Sequence, residues 1–165
     1  MFDFKPAIDG VSNVDGATAW ADLHAAATAI TAGEADGIAN MANVAALAYE
    51  MLPDLNWAGF YRVKDGELVL GPFQGRPACI RIAIGAGVCG AAAASGEVQC
   101  VADVHAFPGH IACDAASASE LVVPVIVDGA VIAVLDLDSP TPGRFDAGDA
   151  AAGERLCAAI AARVA

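Results

Sequence analysis

From residue 17 onward, apolar side chains recur at helical spacing, with Trp20, Leu23, Ala27 and Ile30 on one face of a predicted helix over 17–32 that Gly33 ends. A second apolar stripe, Ile38, Met41, Val44, Ala45 and Ala48, predicts a helix over 34–51, stopped before Pro53. The period then changes from helical to two. Residues 55–63 read as a strand, Lys64-Asp65-Gly66-Glu67 as a tight turn and 67–73 as the partner strand. Another strand is predicted over 79–84, a small-residue helix over 88–95 and a short strand over 98–101. A last hairpin pairs 120–127 with 130–138 around Asp128-Gly129, and a helix over 146–165 closes the chain. Residues 1–15, broken by Pro6 and Gly10, read as an N-terminal arm, and 103–117 has no period. The expected fold is α+β: one domain over 16–165 with a mainly antiparallel sheet flanked by helices, because such hairpins cannot be parallel.

Composition narrows the class. The chain has 165 residues, 57% of them hydrophobic, which suffices for a buried core rather than disorder. Its formal net charge of −12 disfavours nucleic acid and anionic lipid as partners, since both are bound through clustered Lys and Arg. The mean hydropathy of +0.55 raises the membrane question. The longest charge-free run, 82–96, is too short to span a bilayer and carries Gly85, Gly87, Gly90 and Gly96. The first residues lack a basic patch followed by an apolar stretch, so a cytoplasmic location is expected, with mostly reduced thiols.

Cys79, Cys89, Cys100, Cys113 and Cys157 contain no C-x-x-C pair, which argues against a structural zinc site. Cys157, between Leu156 and Ile160, and Cys100, beside Val101, read as packing residues. Cys79 opens a strand, Cys89 lies in the first turn of a small helix, and Cys113 lies in the irregular loop with His110 and Asp114. Each alone is more often structural. Three thiols at element ends favour redox work, because a helix N-terminus or an imidazolium makes a thiolate available.

On the first strand, Trp57 and Tyr61 share a face with Gly59 between them, which reads either as ordinary core or as an aromatic-walled slot for a small ligand. Asp136 and Asp138 share a face of an otherwise apolar strand. A three-residue turn ending at Gly129 would bring Glu120 opposite Asp136, whereas a strict two-residue turn would send Glu120 to the other face. Converging carboxylates repel, raise at least one pKa, and suit an ammonium group, a metal or a proton donor kept neutral.

Several motifs in fixed order carry a resemblance. They are Leu55-Asn56-Trp57-Ala58-Gly59-Phe60-Tyr61, Gly71-Pro72-Phe73-Gln74-Gly75-Arg76-Pro77-Ala78-Cys79, Gly87-Val88-Cys89-Gly90, Asp103-Val104-His105, Phe107-Pro108-Gly109-His110-Ile111-Ala112-Cys113-Asp114, Ser119-Glu120-Leu121-Val122-Val123-Pro124 and Leu135-Asp136-Leu137-Asp138-Ser139. Together they resemble the free methionine-(R)-sulfoxide reductases, enzymes built on a GAF domain. The resemblance implies reduction of free L-methionine (R)-sulfoxide to L-methionine through a cysteine sulfenic acid and an intramolecular disulfide. Thioredoxin would be the reductant. No metal, flavin or nicotinamide cofactor is expected, and a homodimer stays open.

The resemblance places Cys113, Cys79 and Cys89 in the catalytic set, with Trp57, Tyr61, Glu120, Asp136 and Asp138 around the ligand. Cys113 is the expected attacker and Cys79 the first choice to resolve it, with Cys89 as relay or alternative partner. Trp57 and Tyr61 would hold the methyl group and side chain, and Asp136 the ammonium. Glu120 with Asp138 would serve the sulfoxide oxygen. The rival expectation is a GAF module that binds a small ligand or senses redox state without turnover. Such modules usually sit in longer chains with an output domain.

Overall fold

The computed structural model describes residues 16–109 and 116–165. The expected arm over 1–15, and His110, Cys113 and Asp114, lie outside the described residues. In chain order the elements are α1 (Gly16–Ile30), α2 (Gly37–Met51), β1 (Trp57–Lys64), β2 (Glu67–Gly75), β3 (Arg81–Ala83), α3 (Gly87–Ser95), β4 (Gln99–Val101), a 3-10 turn (Val104–Ala106), β5 (Ser119–Val127), β6 (Ala130–Ser139) and α4 (Ala147–Val164). The strands form one sheet in the order β3-β2-β1-β6-β5-β4, antiparallel at each pair. This is the expected α+β arrangement.

Local chemistry sets the boundaries. The Asp36 side chain accepts from the Ala39 N–H, so α2 starts after Asp36 rather than at residue 34. At α4, Asp146 and Asp149 form a reciprocal capping box. β3 is shorter than the expected strand because residue 79 leaves the ladder, its carbonyl accepting from the Tyr61 hydroxyl at 3.0 Å. Both hairpins turn on two residues with positive φ, Asp65-Gly66 and Asp128-Gly129, the geometry that matches the twist of paired strands.

The period of two divides the sheet. Ala58 and Phe60 of β1, Leu121, Val123 and Val125 of β5, and Ala133, Leu135 and Leu137 of β6 pack beneath α1, α2 and α4 in the larger core. On the opposite face Trp57, Tyr61, Val122 and Val134 pack with Leu68, Ile82 and the α3 residues Val88, Cys89 and Ala92. The first face is sealed by three helices. The second is covered by α3 and the loop between β2 and β3, and it carries the polar groups.

The register of β5 on β6 decides where Glu120 points. Val127 pairs with Ala130 and Ile126 with Val131, but beyond a bulge Val125 pairs with Ala133, leaving Ile132 unopposed. This extra residue reverses the parity of the hairpin. Glu120 therefore lies opposite Asp138, not opposite Asp136 as a three-residue turn would have it. Asp136 faces Val122 on one side and Gly59 on the other. The tight turn that alone would have hidden Glu120 under the helices is corrected by one bulged residue.

Candidate active site

The aromatic wall stands on β1 and β2. Trp57 stacks on Phe73, with centroids 5.3 Å apart and 13° between planes, and on Tyr61 at 6.0 Å and 24°. The Trp57 Nε1 donates to the Arg76 carbonyl at 3.0 Å, and the Tyr61 hydroxyl to the Cys79 carbonyl at 3.0 Å. Two aromatic tips thus pin the loop bearing Cys79 onto the sheet. The gap at Gly59 is not the open slot its sequence suggests. A Cβ there would lie 2.6 Å from Trp57 Cη2 and collide with Phe73 Cβ, so the Trp57 ring itself occupies the space. The cleft opens beside it, a narrow cavity of about 20 Å³ lined by Trp57, Tyr61, Arg76, Pro77, Ala78, Asp136 and Asp138.

Phe73 and the loop residues Arg76, Pro77 and Ala78 were not among the expected site residues. Phe73 lies opposite Gly59, so the β1–β2 register would have found it. The loop residues contribute backbone carbonyls and surface, for which residue type gives no signal.

Behind the aromatic wall lies a polar cluster. Cys89, Glu120 and Asp136 are all buried, at 4%, 6% and 6% exposure. The Cys89 thiol donates to Glu120 Oε1 at 3.8 Å, and one ligand-type atom from each of the three lies within 4.8 Å of the others. Asp136 Oδ1 is buried without a hydrogen-bond partner. Burial, then the charge of Asp138, pushes the Glu120 carboxyl up from 4.5 to about 8. Asp136 is pushed well up by burial and then by Glu120. Glu120 therefore favours the neutral acid at pH 7, and its side chain and that of Cys89 are hydrogen-bonded to Asp136. Glu120 can donate a proton, and a cation arriving beside the pair favours the carboxylate form.

Of the cysteines, Cys79 is disulfide-bonded, while Cys89, Cys100 and Cys157 are free. Cys113 lies outside the described residues. Cys157 is core, 1% exposed, as its apolar neighbours predict. Cys100 is not a packing residue: it is exposed on the edge strand β4, its thiol 3.5 Å from the Phe145 carbonyl. The helix-end effect that would favour a thiolate does not dominate at Cys89. Burial, followed by the charges of Asp136 and Glu120, drives its thiol pKa well up despite its place in the first turn of α3. Among the described residues, the groups able to hold a metal ion together are Cys89, Glu120 and Asp136, a set drawn from three separated elements that no sequence spacing displays.

The fold and the placement of this site under a short helix define the class first: a family model described as GAF domain matches residues 39–165. Among similar proteins, YtsP of Bacillus subtilis is 62% identical over 72% of this chain and 74% of its own. The free methionine-R-sulfoxide reductase of Escherichia coli is 56% identical over 76% of each chain. The structure of the Neisseria meningitidis free methionine-R-sulfoxide reductase, in complex with its substrate, superposes with a TM-score of 0.89 at 43% identity, covering 94% of this chain and 93% of that one. The chain belongs to the GAF-domain family of free methionine-(R)-sulfoxide reductases. No helix of the described residues is long and apolar enough to cross a membrane.

Proposed function

We propose that this protein reduces free L-methionine (R)-sulfoxide to L-methionine in the cytoplasm, with thioredoxin as the electron donor. The observation that carries the reading is the pairing of a buried Glu120, its carboxyl pushed up to about 8, with a buried Asp136 beside an aromatic wall. It occurs in a chain 56% identical to the E. coli reductase. A free amino acid sulfoxide offers one group to each feature. Its ammonium donates to Asp136 Oδ1, and its arriving charge ionises that carboxyl. Its methyl and methylene groups lie against Trp57 and Tyr61. Its sulfoxide oxygen takes a proton from Glu120, with Asp138 across the strand pair aiding orientation.

In this mechanism the Cys113 thiolate attacks the sulfoxide sulfur as Glu120 protonates the oxygen. The sulfur–oxygen bond breaks, the oxygen passes to Cys113 as a sulfenic acid, and methionine leaves with its sulfur reduced by two electrons. The Cys79 thiol then attacks the sulfenic sulfur, forming a disulfide and releasing water. A thioredoxin dithiol returns both cysteines to thiols by exchange. Cys89, protonated and bonded to Glu120, suits a relay rather than the first attack. The bonded state of Cys79 supports its place as the resolving thiol.

The test couples the purified protein to thioredoxin, thioredoxin reductase and NADPH, with each epimer of free methionine sulfoxide. NADPH loss with the R epimer alone, abolished by Cys113→Ser, is the expected result. No turnover from folded, reduced protein would overturn the reading and leave a ligand-binding GAF module.

A further inference from the structure

The cluster behind the aromatic wall has the composition of a metal site as well as that of an acid pair. Its donors are one sulfur and two carboxylate oxygens, from α3, β5 and β6, all within 4.8 Å of one another. Ligands bound to zinc at about 2.3 Å for sulfur and about 2.1 Å for oxygen, with a tetrahedral angle between them, lie about 3.6 Å apart. Cys89 Sγ and Glu120 Oε1 are 3.8 Å apart already. Asp136, 6% exposed, is hydrogen-bonded through its side chain with Cys89 and Glu120, so its carboxylate is held against the other two donors, and its Oδ1 is buried without a partner. The donor types select the ion: the sulfur disfavours magnesium and calcium, and the two carboxylates disfavour copper(I). Borderline divalent ions such as zinc, cobalt(II) and cadmium fit the set.

We propose that Cys89, Glu120 and Asp136 form a three-ligand site for a zinc-type divalent cation, which occupies the methionine-sulfoxide slot and excludes the substrate. Asp136 joins the two places, because it also lines the cavity with Trp57, Tyr61 and Asp138. The ion and the amino acid therefore compete for Asp136 and Glu120. The competition rests on the proposed function, whereas the ion site rests on the donor geometry alone. Its consequence is a reductase that free zinc inhibits reversibly, competitively with substrate, without any cysteine being oxidised.

The test uses cobalt(II), whose bond to a thiolate gives a near-ultraviolet charge-transfer band, on the full chain carrying Cys79→Ser, Cys100→Ser and Cys113→Ser. Of the five cysteines in the sequence this leaves Cys89 and the core residue Cys157, and removing the proposed attacker Cys113 prevents turnover while sulfoxide is present. One equivalent of cobalt should produce the band, zinc should bleach it, and methionine (R)-sulfoxide should displace it. Adding Cys89→Ser should abolish the band, and adding Asp136→Asn should weaken cobalt binding at least tenfold with the circular dichroism of the parent, which keeps the test valid if Cys89→Ser fails to fold. No band, or a band of unchanged affinity in Asp136→Asn, overturns the ion site. A band that saturating sulfoxide does not displace establishes the ion site and overturns the shared slot.

Discussion

At the scale of single residues, the site works through burial rather than through unusual side chains. Glu120 is an ordinary glutamate whose carboxyl is pushed to about 8 by loss of water and then by the nearby charge of Asp138. If it is the acid that protonates the sulfoxide oxygen, kcat/KM falls as pH climbs through about 8, on the alkaline limb of the profile. Glu120→Gln keeps the shape and removes the proton, and a reduction in kcat of about 10²- to 10³-fold with a modest change in KM is expected from steady-state kinetics. Gly59→Ala probes the aromatic wall instead. Its methyl group would strike Phe73 and the Trp57 ring, so Trp57 must move. KM should rise at least tenfold while kcat changes less, with a stability loss of about 1–3 kcal/mol for overpacking. The same two residues mark the limit of what sequence conveys. The shared face of Trp57 and Tyr61, and that of Asp136 and Asp138, follow from a period of two. That Gly59 receives a neighbour's ring, and that Cys89, although in the first turn of α3, sits among acids, depends on contacts between elements far apart in the chain.

At the scale of elements, the hairpin turns are legible in the sequence because each depends on a few adjacent residues, whereas the Asp36 cap moves the start of α2 on from the expected residue 34. Asp65-Gly66 and Asp128-Gly129 adopt the left-handed conformations their types allow. The β5–β6 bulge was not legible: nothing about Ile132 distinguishes it from its apolar neighbours, yet it sets the face on which Glu120 emerges. Pro124 is legible in hindsight, because β4 pairs only as far as Val122 and leaves that edge of β5 needing no N–H. The best-anchored element end is that of α4. Asp149 accepts from the Trp20 indole at 2.6 Å, from the Asp146 N–H at 3.0 Å and from Arg144 at 3.2 Å, joining α1, the cap and the preceding loop. Asp149→Ala strands a buried indole N–H and removes half of the capping box. Urea unfolding should show a loss of about 2–4 kcal/mol. The residue lies on the helix side of the sheet, so kcat per folded molecule should stay at the parent value.

At the scale of the whole molecule, the twenty acidic residues against eight basic ones matter for stability more than for partner choice. Most acidic side chains stand in water, but Glu120 and Asp136 do not, and both have their carboxyls raised by burial. A raised carboxyl binds a proton in the folded state that the unfolded chain has already released, so the unfolded state holds fewer protons and stability falls as pH rises. For Glu120 this contribution is fully present below its ordinary 4.5 and is lost as pH climbs through about 8. The slope approaches about 1.4 kcal/mol per pH unit for each such proton. Mutual repulsion within a chain of net charge −12 acts in the same direction, so the total slope does not by itself identify the buried acids. The difference between the parent and Glu120→Gln does, because the substitution leaves the exposed charges in place. Urea midpoints measured from pH 5 to 9 should converge on the variant's advantage at high pH and on little or none at pH 5. Parallel curves for the two proteins would show that Glu120 is ionised in the folded state throughout, and would remove it as the proton donor.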